Sequence, residues 1–292
     1  MSIDNVCCVC VTYNAKIEEV RAIYNSLNDQ IAEFIVVDNS EQNDSSNVQK
    51  FPGKAIRLGR NIGIAAAQNI GIAEALSLGY EYVLLTDQDT LYPPEFVKKM
   101  LTGFQYDASV GVVVPDVLDS TKGVLQGFTR KNSKTFSRSR LDKVETVLHA
   151  NASGMLIKRD CFMKAGLMQE KFFIDWVDFE WCWRCNNENI LIAALPHVII
   201  DHKLGDERRK LFFFFNVSSR NDQRYFYIIR NAVYIFTRNK LLNIFLKISL
   251  FFKIVTYFFG YLILSKNRMS TFNVLLKAVF FGIIGKLGRY DI

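Results

Sequence analysis

The feature that constrains this chain most is a short apolar run that ends in an acidic turn. Residues 82–85 read Tyr-Val-Leu-Leu, and residues 86–90 read Thr-Asp-Gln-Asp-Thr. The run is too short for a helix, which is typical of a strand buried on both faces of a parallel sheet. Ligands of open α/β sheets bind beyond the carboxyl ends of the strands, where Asp87 and Asp89 fall. These carboxylates can offer hard oxygens to one Mg²⁺ or Mn²⁺, although a lone Asp-x-Asp is also common in solvated turns.

Two earlier strand-like runs end in polar residues in the same way. The run at 6–11 is followed by Thr-Tyr-Asn at 12–14, and the run at 34–37 by Asp-Asn-Ser at 38–40. The carboxyl ends of parallel strands meet at one edge of a sheet. The three clusters together therefore predict a nucleotide-binding crevice.

The order of the elements predicts the fold class. Apolar residues at helix spacing occupy 17–27 and 63–78, between the strand-like runs. This alternation implies right-handed crossovers and a Rossmann-like α/β fold, in which a mostly parallel sheet is flanked by helices. No Gly-x-Gly-x-x-Gly follows the first strand and no P-loop motif occurs, so a dinucleotide-binding fold and a P-loop NTPase are both disfavoured.

Charge divides the chain near residue 205. Residues 203–292 hold 16 of the 36 Lys and Arg and 4 of the 29 Asp and Glu, so their net charge is +12 and that of residues 1–202 is −5. The basic part also carries clustered Phe and Leu, which favours an anionic membrane surface over nucleic acid as its partner. We therefore expect a catalytic domain at 1–205 and a helical, membrane-associating region at 206–292.

Residues 241–264 are apolar enough to span a bilayer, but they contain Lys247 and Lys253. Each lysine costs roughly 2.5–3.5 kcal/mol at mid-membrane, which favours a helix lying in the interface over a span. No secretory signal is apparent at the start of the chain, and the six cysteines are interpreted as reduced cytosolic thiols. We expect a peripheral protein on the cytoplasmic face of the inner membrane.

An ordered set of motifs resembles the family-2 glycosyltransferases with a GT-A fold, over roughly residues 5–235. The motifs are V-T-Y-N at 11–14, V-V-D-N-S at 36–40, N-I-G-I-A at 61–65, N-I-G at 69–71, L-L-T-D-Q-D-T at 84–90, S-G at 153–154, F-I-D-W-V-D-F-E-W at 173–181, H-K-L-G at 202–205 and R-N at 230–231. Within the family the chain looks most similar to bacterial surface-polysaccharide rhamnosyltransferases.

The resemblance implies a role for each matching residue. The residues that would bind the nucleotide sugar are Thr12, Tyr13, Asn14, Asp38, Asn61, Gly63, Asp87 and Gln88. Asp38 would accept a hydrogen bond from the pyrimidine ring, Asp89 and His202 would hold the divalent metal, and Asp178 would be the general base. The residues that would contact the acceptor or the diphosphate are Ser153, Gly154, Asp175, Glu180, Arg224 and Arg230.

Three acids near residue 178 have a second interpretation. On a continuous helix Asp175 and Asp178 share a face and Glu180 lies off it, while nearby tryptophans favour a raised carboxyl pKa. Acids are also common at helix N-termini for reasons unrelated to catalysis. The resemblance favours the catalytic interpretation for Asp178 alone.

The implied activity is the inverting transfer of L-rhamnose from dTDP-L-rhamnose to a polyprenyl-diphosphate-linked saccharide in O-antigen or other surface-polysaccharide synthesis. A divalent metal would stabilise the leaving diphosphate, and one carboxylate would deprotonate the acceptor hydroxyl. One alternative keeps the fold but uses UDP-galactofuranose or a UDP-N-acetylhexosamine. The other is a non-enzymatic protein that binds the membrane surface.

Overall fold

The structure is a computed structural model that describes residues 2–41, 51–120, 123–202, 208–211, 215–218 and 222–290. The chain forms two compact units. The first unit comprises residues 1–133, 137–170 and 178–204, and the second unit comprises residues 134–136, 171–177 and 205–292. The expected boundary at 205/206 lies outside the described residues.

The first unit is built on one large mixed sheet. Its strands are β1 (Val6–Thr12), β2 (Glu33–Asp38), β3 (Lys54–Arg57), β4 (Tyr82–Asp87), β5 (Thr90–Leu91), β6 (Val110–Asp119), β7 (Val124–Leu125), β8 (Thr129–Arg130), β9 (Glu145–His149), β10 (Met155–Lys158) and β11 (Leu191–His202). Their main order is β3-β2-β1-β4-β10-β6-β11-β9-β8, while β5 pairs with β11 and β7 with β6.

The strands that the sequence predicted to be parallel, β1 to β4, lie side by side at one end of this sheet. Strands β3, β2, β1 and β4 pair in parallel, as do β6 and β11. Strand β10 is antiparallel to both of its neighbours, β4 and β6, which the alternation of elements did not predict. This insertion brings the turn before β10 to the carboxyl end of β4, where Gly154 N donates to Leu85 O at 2.8 Å.

The helices between these strands are α1 (Ile17–Leu27), α2 (Ile64–Ser77), α3 (Phe96–Thr102), α4 (Arg159–Ala165) and α5 (Val177–Asn187). Helix α1 buries Val20, Ile23 and Leu27, the apolar face that its sequence predicted. Helix α2 approaches the sheet at Gly71, where a Cβ would lie 2.3 Å from Val9 Cγ1, so only glycine fits this contact.

In its described residues, the second unit contains three helices and one antiparallel pair of strands. These are α6 (Asp222–Arg238), α7 (Ile244–Leu264), α8 (Arg268–Ile284), β12 (Arg208–Leu211) and β13 (Phe215–Ser218). Stacked rings join α6 to α7 and to the residues after α8, with 4.0 Å between the ring centroids of Tyr225 and Tyr261 and 4.2 Å between those of Phe226 and Tyr290. Asn243 and Asn267 cap the N-termini of α7 and α8 by accepting backbone N–H groups.

Candidate active site

Strand register brings the predicted polar clusters to one edge of the sheet. Thr12 at the end of β1 lies opposite Asp38 at the end of β2, and Val11 lies opposite Asp87 at the end of β4. Thr12 and Asp38 are almost completely buried. The expectation that these strand ends meet is therefore confirmed.

Asp38 is anchored through one carboxylate oxygen only. Its Oδ1 accepts from Thr12 Oγ1 at 3.4 Å and from Ser40 N and Oγ at 3.2 and 2.5 Å. Its Oδ2 is buried and has no hydrogen-bond partner among the residues that the structure describes. A buried acceptor without a hydrogen bond raises the free energy of the folded state. A ligand N–H that donated to this oxygen would remove that penalty.

A network of amides fixes the turn that precedes α2. Asn61 Oδ1 accepts from Asn39 Nδ2 at 3.1 Å and from Gly63 N at 3.0 Å, and Asn39 Oδ1 accepts from Ile62 N at 2.8 Å. Gly63 has a φ of 89°, a conformation that favours glycine. Asn61 and Gly63 are therefore held beside the end of β2 together with Asn39, which was not among the predicted binding residues.

Gln88 links the end of β1 to the acidic turn. Its Oε1 accepts from Tyr13 N at 2.7 Å, while Asn14 N donates to Ser40 Oγ at 2.8 Å. Tyr13 is 45% exposed immediately after the end of β1. Gln88 thus joins two of the predicted binding segments.

Asp89 lies in the turn between β4 and β5. Strand β5 pairs with β11 so that Thr90 is opposite His202, which brings the backbone of His202 close to Asp89 in the sheet. The His202 side chain is outside what the structure describes. Among the described residues there is no group of three or more His, Cys, Asp or Glu side chains spaced for a metal.

Ser153 connects the acidic turn to the loop before β10. Its Oγ lies 2.7 Å from Thr90 Oγ1 and accepts from Asp87 N at 3.4 Å. Gly154 follows with a φ of 80°, and a Cβ there would lie 2.7 Å from Pro115 Cγ. Ser153 therefore reaches the strand-end acids, whereas Gly154 is required by backbone conformation and packing.

Asp178 lies in the first turn of α5 and retains partial exposure. Its Oδ2 accepts from Ala152 N at 3.2 Å and its Oδ1 from Phe179 N at 3.0 Å. Burial, with a smaller contribution from the negative charge of Asp87, raises the pKa of Asp178 to about 7, although hydrogen bonds from backbone N–H groups, including those of Phe179 and Ala152, oppose the shift. A carboxyl group with a pKa near neutrality is suited to accept a proton from a hydroxyl.

The expectation that Asp175 and Asp178 share a helix face is wrong. Helix α5 begins at Val177, and Asp175 precedes it with a left-handed φ of 62°. In the second unit, Asp175 pairs with Arg224 at 3.2 Å. Within the first unit, buried Glu180 pairs with Arg184 at 3.0 Å, a contact that explains this acid without a ligand.

Arg230 is a structural residue of the second unit. It is 1% exposed, and its guanidinium donates to Phe172 O at 2.9 Å, Gly288 O at 2.5 Å and Asn231 Oδ1 at 2.9 Å. Burial lowers its pKa to about 10. These contacts contradict the predicted contact with a diphosphate, because a side chain held this way faces the interior.

Asn231 was missed as a functional candidate, although it lies in a quoted motif. Its Nδ2 donates to the carbonyls of Phe172 at 3.0 Å, Ile174 at 2.9 Å and Asp175 at 3.1 Å. The segment that it holds contains three residues with positive φ, which are Phe173, Asp175 and Trp176. Left-handed residues other than glycine are strained, and this clamp stabilises them immediately before α5.

The site combines polar groups at the ends of parallel strands with a carboxyl group whose pKa is raised. This combination is typical of α/β enzymes that bind a nucleotide at the carboxyl edge of a sheet. The particular family follows from comparison with known proteins. The model of glycosyl transferase family 2 matches residues 7–166, and the chain belongs to this family.

Two relatives are similar along most of their length. The chain is 30% identical over 247 residues to the dTDP-rhamnosyl transferase RfbF of Shigella flexneri, covering 80% of this chain and 81% of that protein. It is 27% identical over 218 residues to the low-salt glycan biosynthesis hexosyltransferase Agl10 of Haloferax volcanii, covering 68% and 67%. The protein is therefore a glycosyltransferase, and the alternative of a non-enzymatic binding protein is set aside.

Solved structures agree with the GT-A fold. The TM-score is 0.57 with S. aureus TarS at 14% identity, and 0.56 with GalNAc-T7 bound to UDP, GalNAc and Mn²⁺ at 13% identity. The match covers 96% of this chain in both cases, but only 49% of the TarS chain and 57% of the GalNAc-T7 chain. At this identity the likeness establishes the fold alone.

Proposed function

We propose that this glycosyltransferase moves L-rhamnose from dTDP-L-rhamnose to a polyprenyl-diphosphate-linked saccharide, with inversion at the anomeric carbon. The observation that carries the proposal is the similarity to a dTDP-rhamnosyl transferase over four fifths of both chains. The strand-end acids and Asp178 supply the chemical groups that such a transfer needs.

The nucleotide base would bind at the end of β2. The Oδ2 atom of Asp38 is a buried acceptor that a pyrimidine N3–H can satisfy, while its Oδ1 is held by Thr12 and Ser40. Tyr13, exposed immediately after the end of β1, offers a ring face on which a base can stack.

The divalent ion, Mg²⁺ or Mn²⁺, would bind at Asp89, with His202 as a second ligand and Asp87 beside it. Carboxylates one residue apart at a strand end fit a hard cation, and the GT-A neighbour GalNAc-T7 is described with Mn²⁺. When bound, the ion would neutralise the charge that grows on the leaving diphosphate.

Asp178 would take the proton of the attacking acceptor hydroxyl. Its hydrogen bonds from Ala152 N and Phe179 N fix the carboxylate, and its pKa of about 7 makes it a better base than an ordinary aspartate. A single base and a direct displacement invert the anomeric centre. No carboxylic acid is needed for the leaving group, because a diphosphate leaves without being protonated.

Another hexose donor is the second candidate, because the chain is also similar to the hexosyltransferase Agl10. UDP-galactofuranose and UDP-N-acetylglucosamine represent this possibility. A panel of these two donors and dTDP-L-rhamnose, assayed by nucleotide release with octyl glycosides as acceptors, separates the candidates. We expect release from dTDP-L-rhamnose at least about tenfold faster than from either UDP-sugar, and equal rates would contradict the choice of donor.

We also propose that α7 and α8 lie in the cytoplasmic surface of the inner membrane. Within the described part of the chain, α7 is the one helix long and apolar enough to cross a bilayer. Both helices expose large apolar side chains, among them Phe252 and Phe259 on α7 and Phe280 on α8. The Lys253 ammonium lies 5.5 Å from the ring centroids of Phe136 and Trp176, so its charge packs within the second unit.

A vesicle assay tests this placement. Co-sedimentation with vesicles that contain anionic lipid should fall when Phe252 and Phe259 are both changed to Asp, because burying a carboxylate in the interface opposes binding. Binding that is unchanged in the double variant would contradict the placement of α7. The matched change Tyr106→Asp, at an exposed aromatic residue of the first unit, should leave vesicle binding intact.

A further inference from the structure

A small cavity with a mixed polar and apolar lining lies in the first unit, next to the loop that carries Ser153. Its lining includes Asp116, Gln126, Arg138, Asn151 and Ser153. The cavity measures about 20 Å³, which is room for one water-sized group. Nothing in the proposed nucleotide, metal or base assignments uses Gln126 or Asp116.

The hydrogen bonds around Gln126 fix the orientation of its amide. Arg138 Nη1 and Asn151 Nδ2 both donate to Gln126 Oε1, so the oxygen must face these two donors. The Nε2 group then points the other way, and it is buried with no partner among the described residues. A buried N–H donor without a partner costs free energy unless a ligand or a water accepts from it.

Asp116 supplies an acceptor in the same lining. Its side chain is 3% exposed, and its Oδ1 accepts from Val117 N at 2.8 Å and Gly127 N at 3.1 Å. The lining of the cavity therefore includes one residue with an N–H donor that has no partner among the described residues and one residue with a carboxylate. A neutral hydroxyl can accept from one and donate to the other, whereas an anion would be repelled by the carboxylate.

The cavity shares a loop with the proposed base. Asn151 and Ser153 line the cavity, and Ala152 between them donates its N–H to Asp178 Oδ2 at 3.2 Å. On its other side Ser153 contacts Thr90 in the acidic turn. A sugar that placed one hydroxyl in the cavity would thus present its other hydroxyls beside the base.

We propose that this cavity receives one hydroxyl of the acceptor sugar and that Gln126 Nε2 donates to it, which makes Gln126 a determinant of acceptor specificity. The inference rests on the proposed function, since it requires a sugar acceptor. It names a residue that would bind the acceptor sugar, a role that the proposed nucleotide and metal residues do not fill. The competing explanation is a resident water that no substrate displaces.

The variant Gln126→Glu tests the proposal with little change in shape. Glutamate keeps an oxygen for Arg138 and Asn151, replaces the N–H donor by an oxygen and adds a negative charge. The assay uses dTDP-L-rhamnose and the best acceptor from a panel of octyl glycosides. We expect the acceptor KM to rise about tenfold or more, because the hydroxyl loses an N–H donor and meets an acceptor oxygen in its place. The donor KM and the slow hydrolysis of donor by water should stay within about twofold of wild type.

Two controls separate specificity from folding. Gln105→Glu makes the same chemical change at an exposed residue of the first unit and should leave the acceptor KM unaltered. Monodeoxy forms of the same octyl glycoside give the second control. Wild type should use the form that lacks the bound hydroxyl about tenfold less well, and Gln126→Glu should use it as well as the parent glycoside.

These experiments distinguish a failure of the inference about Gln126 from a failure of the proposed function. If wild type neither transfers nor hydrolyses any sugar from dTDP-L-rhamnose, the proposed function and this inference both fall. If wild type transfers rhamnose but Gln126→Glu keeps its acceptor KM and its discrimination against every monodeoxy form, only the inference is overturned. A parallel loss of donor hydrolysis and transfer in Gln126→Glu would also overturn it, because that pattern reports a structural role.

Discussion

The carboxyl edge of β1, β2 and β4 and the segment before α5 are built in different ways. At the strand edge each polar residue ends or directly follows the strand that positions it, as Asp38 is the last residue of β2. The segment at 171–177 instead depends on Asn231, which is 56 residues from Asp175 in sequence. One region is positioned by local sequence and the other by a distant side chain, and perturbing them should have different consequences.

Asp178→Asn is expected to give the largest effect. It removes the base but keeps an oxygen that can accept from one backbone N–H, so turnover should fall by roughly 10²–10⁴. The affinity for dTDP should remain within about twofold, since Asp178 is assigned no contact with the nucleotide. Steady-state rates and calorimetric titration of dTDP check both statements, and near-normal turnover would remove the assignment of the base.

The same variant should be more stable than wild type above pH 7 in metal-free buffer. The pKa of Asp178 is about 7 in the folded state and ordinary in the unfolded chain, so its contribution to stability is complete below pH 4 and is lost as pH rises to 7. Asparagine does not ionise, so the variant avoids this loss, a gain on the order of 2 kcal/mol after one weakened hydrogen bond is allowed for. Urea unfolding at pH 4.5 and pH 8 should show the difference at the higher pH alone.

Asn231→Ala should disturb the hydrogen bonds that hold the segment at 171–177 and leave the strand edge intact. The change leaves three carbonyls without their donor and takes an acceptor from Arg230, which should lower the free energy of unfolding by about 3 kcal/mol. Turnover should fall, because the strained segment leads directly into α5, while dTDP affinity stays near that of wild type. Asn273→Ala, at an exposed position of α8, is the matched control; equal stability of the two variants would argue against the clamp.

Asp38→Asn addresses the strand edge. An amide N–H in place of Oδ2 would oppose the N3–H of thymine, so the affinity for dTDP should fall about tenfold or somewhat more. Turnover at saturating donor should change little, because the base and the acid pair are untouched. If calorimetry showed unchanged dTDP affinity, the nucleotide would have to bind elsewhere.

Arg224→Ala is expected to give the smallest effect. Its ion pair with Asp175 is partly exposed, and such pairs contribute roughly 0–1 kcal/mol. Both unfolding free energy and dTDP affinity should stay close to those of wild type. A loss as large as that of Asn231→Ala would show that the ion pair holds the segment as firmly as the amide does.

The contrast also explains what the sequence could predict. The positions of the strand-end residues follow from short patterns, because a strand fixes where its next residue lies. The raised pKa of Asp178 could be expected from the tryptophans near it in sequence. Asp175 was misplaced because acids three residues apart resemble a helix start, and the left-handed backbone is held by contacts far along the chain. Arg230 was misassigned because a positive charge in a basic segment does not reveal that carbonyl groups enclose it.

The antiparallel insertion of β10 and the cavity beside it were equally inaccessible to pattern reasoning. Both depend on pairing between strands that are far apart in sequence, such as Leu84 with Leu156. The residues of the cavity share no motif, and Gln126 is distinguished only by the partners of its amide.

We infer that acids at the end of β4 hold a cation that stabilises a departing nucleotide. Calorimetric titration of dTDP into wild type and Asp89→Asn, each with Mg²⁺ and with EDTA, tests it most directly. We predict that Mg²⁺ tightens dTDP binding at least about tenfold in wild type and has no effect in Asp89→Asn. Binding to wild type that is the same in Mg²⁺ and in EDTA would contradict the claim.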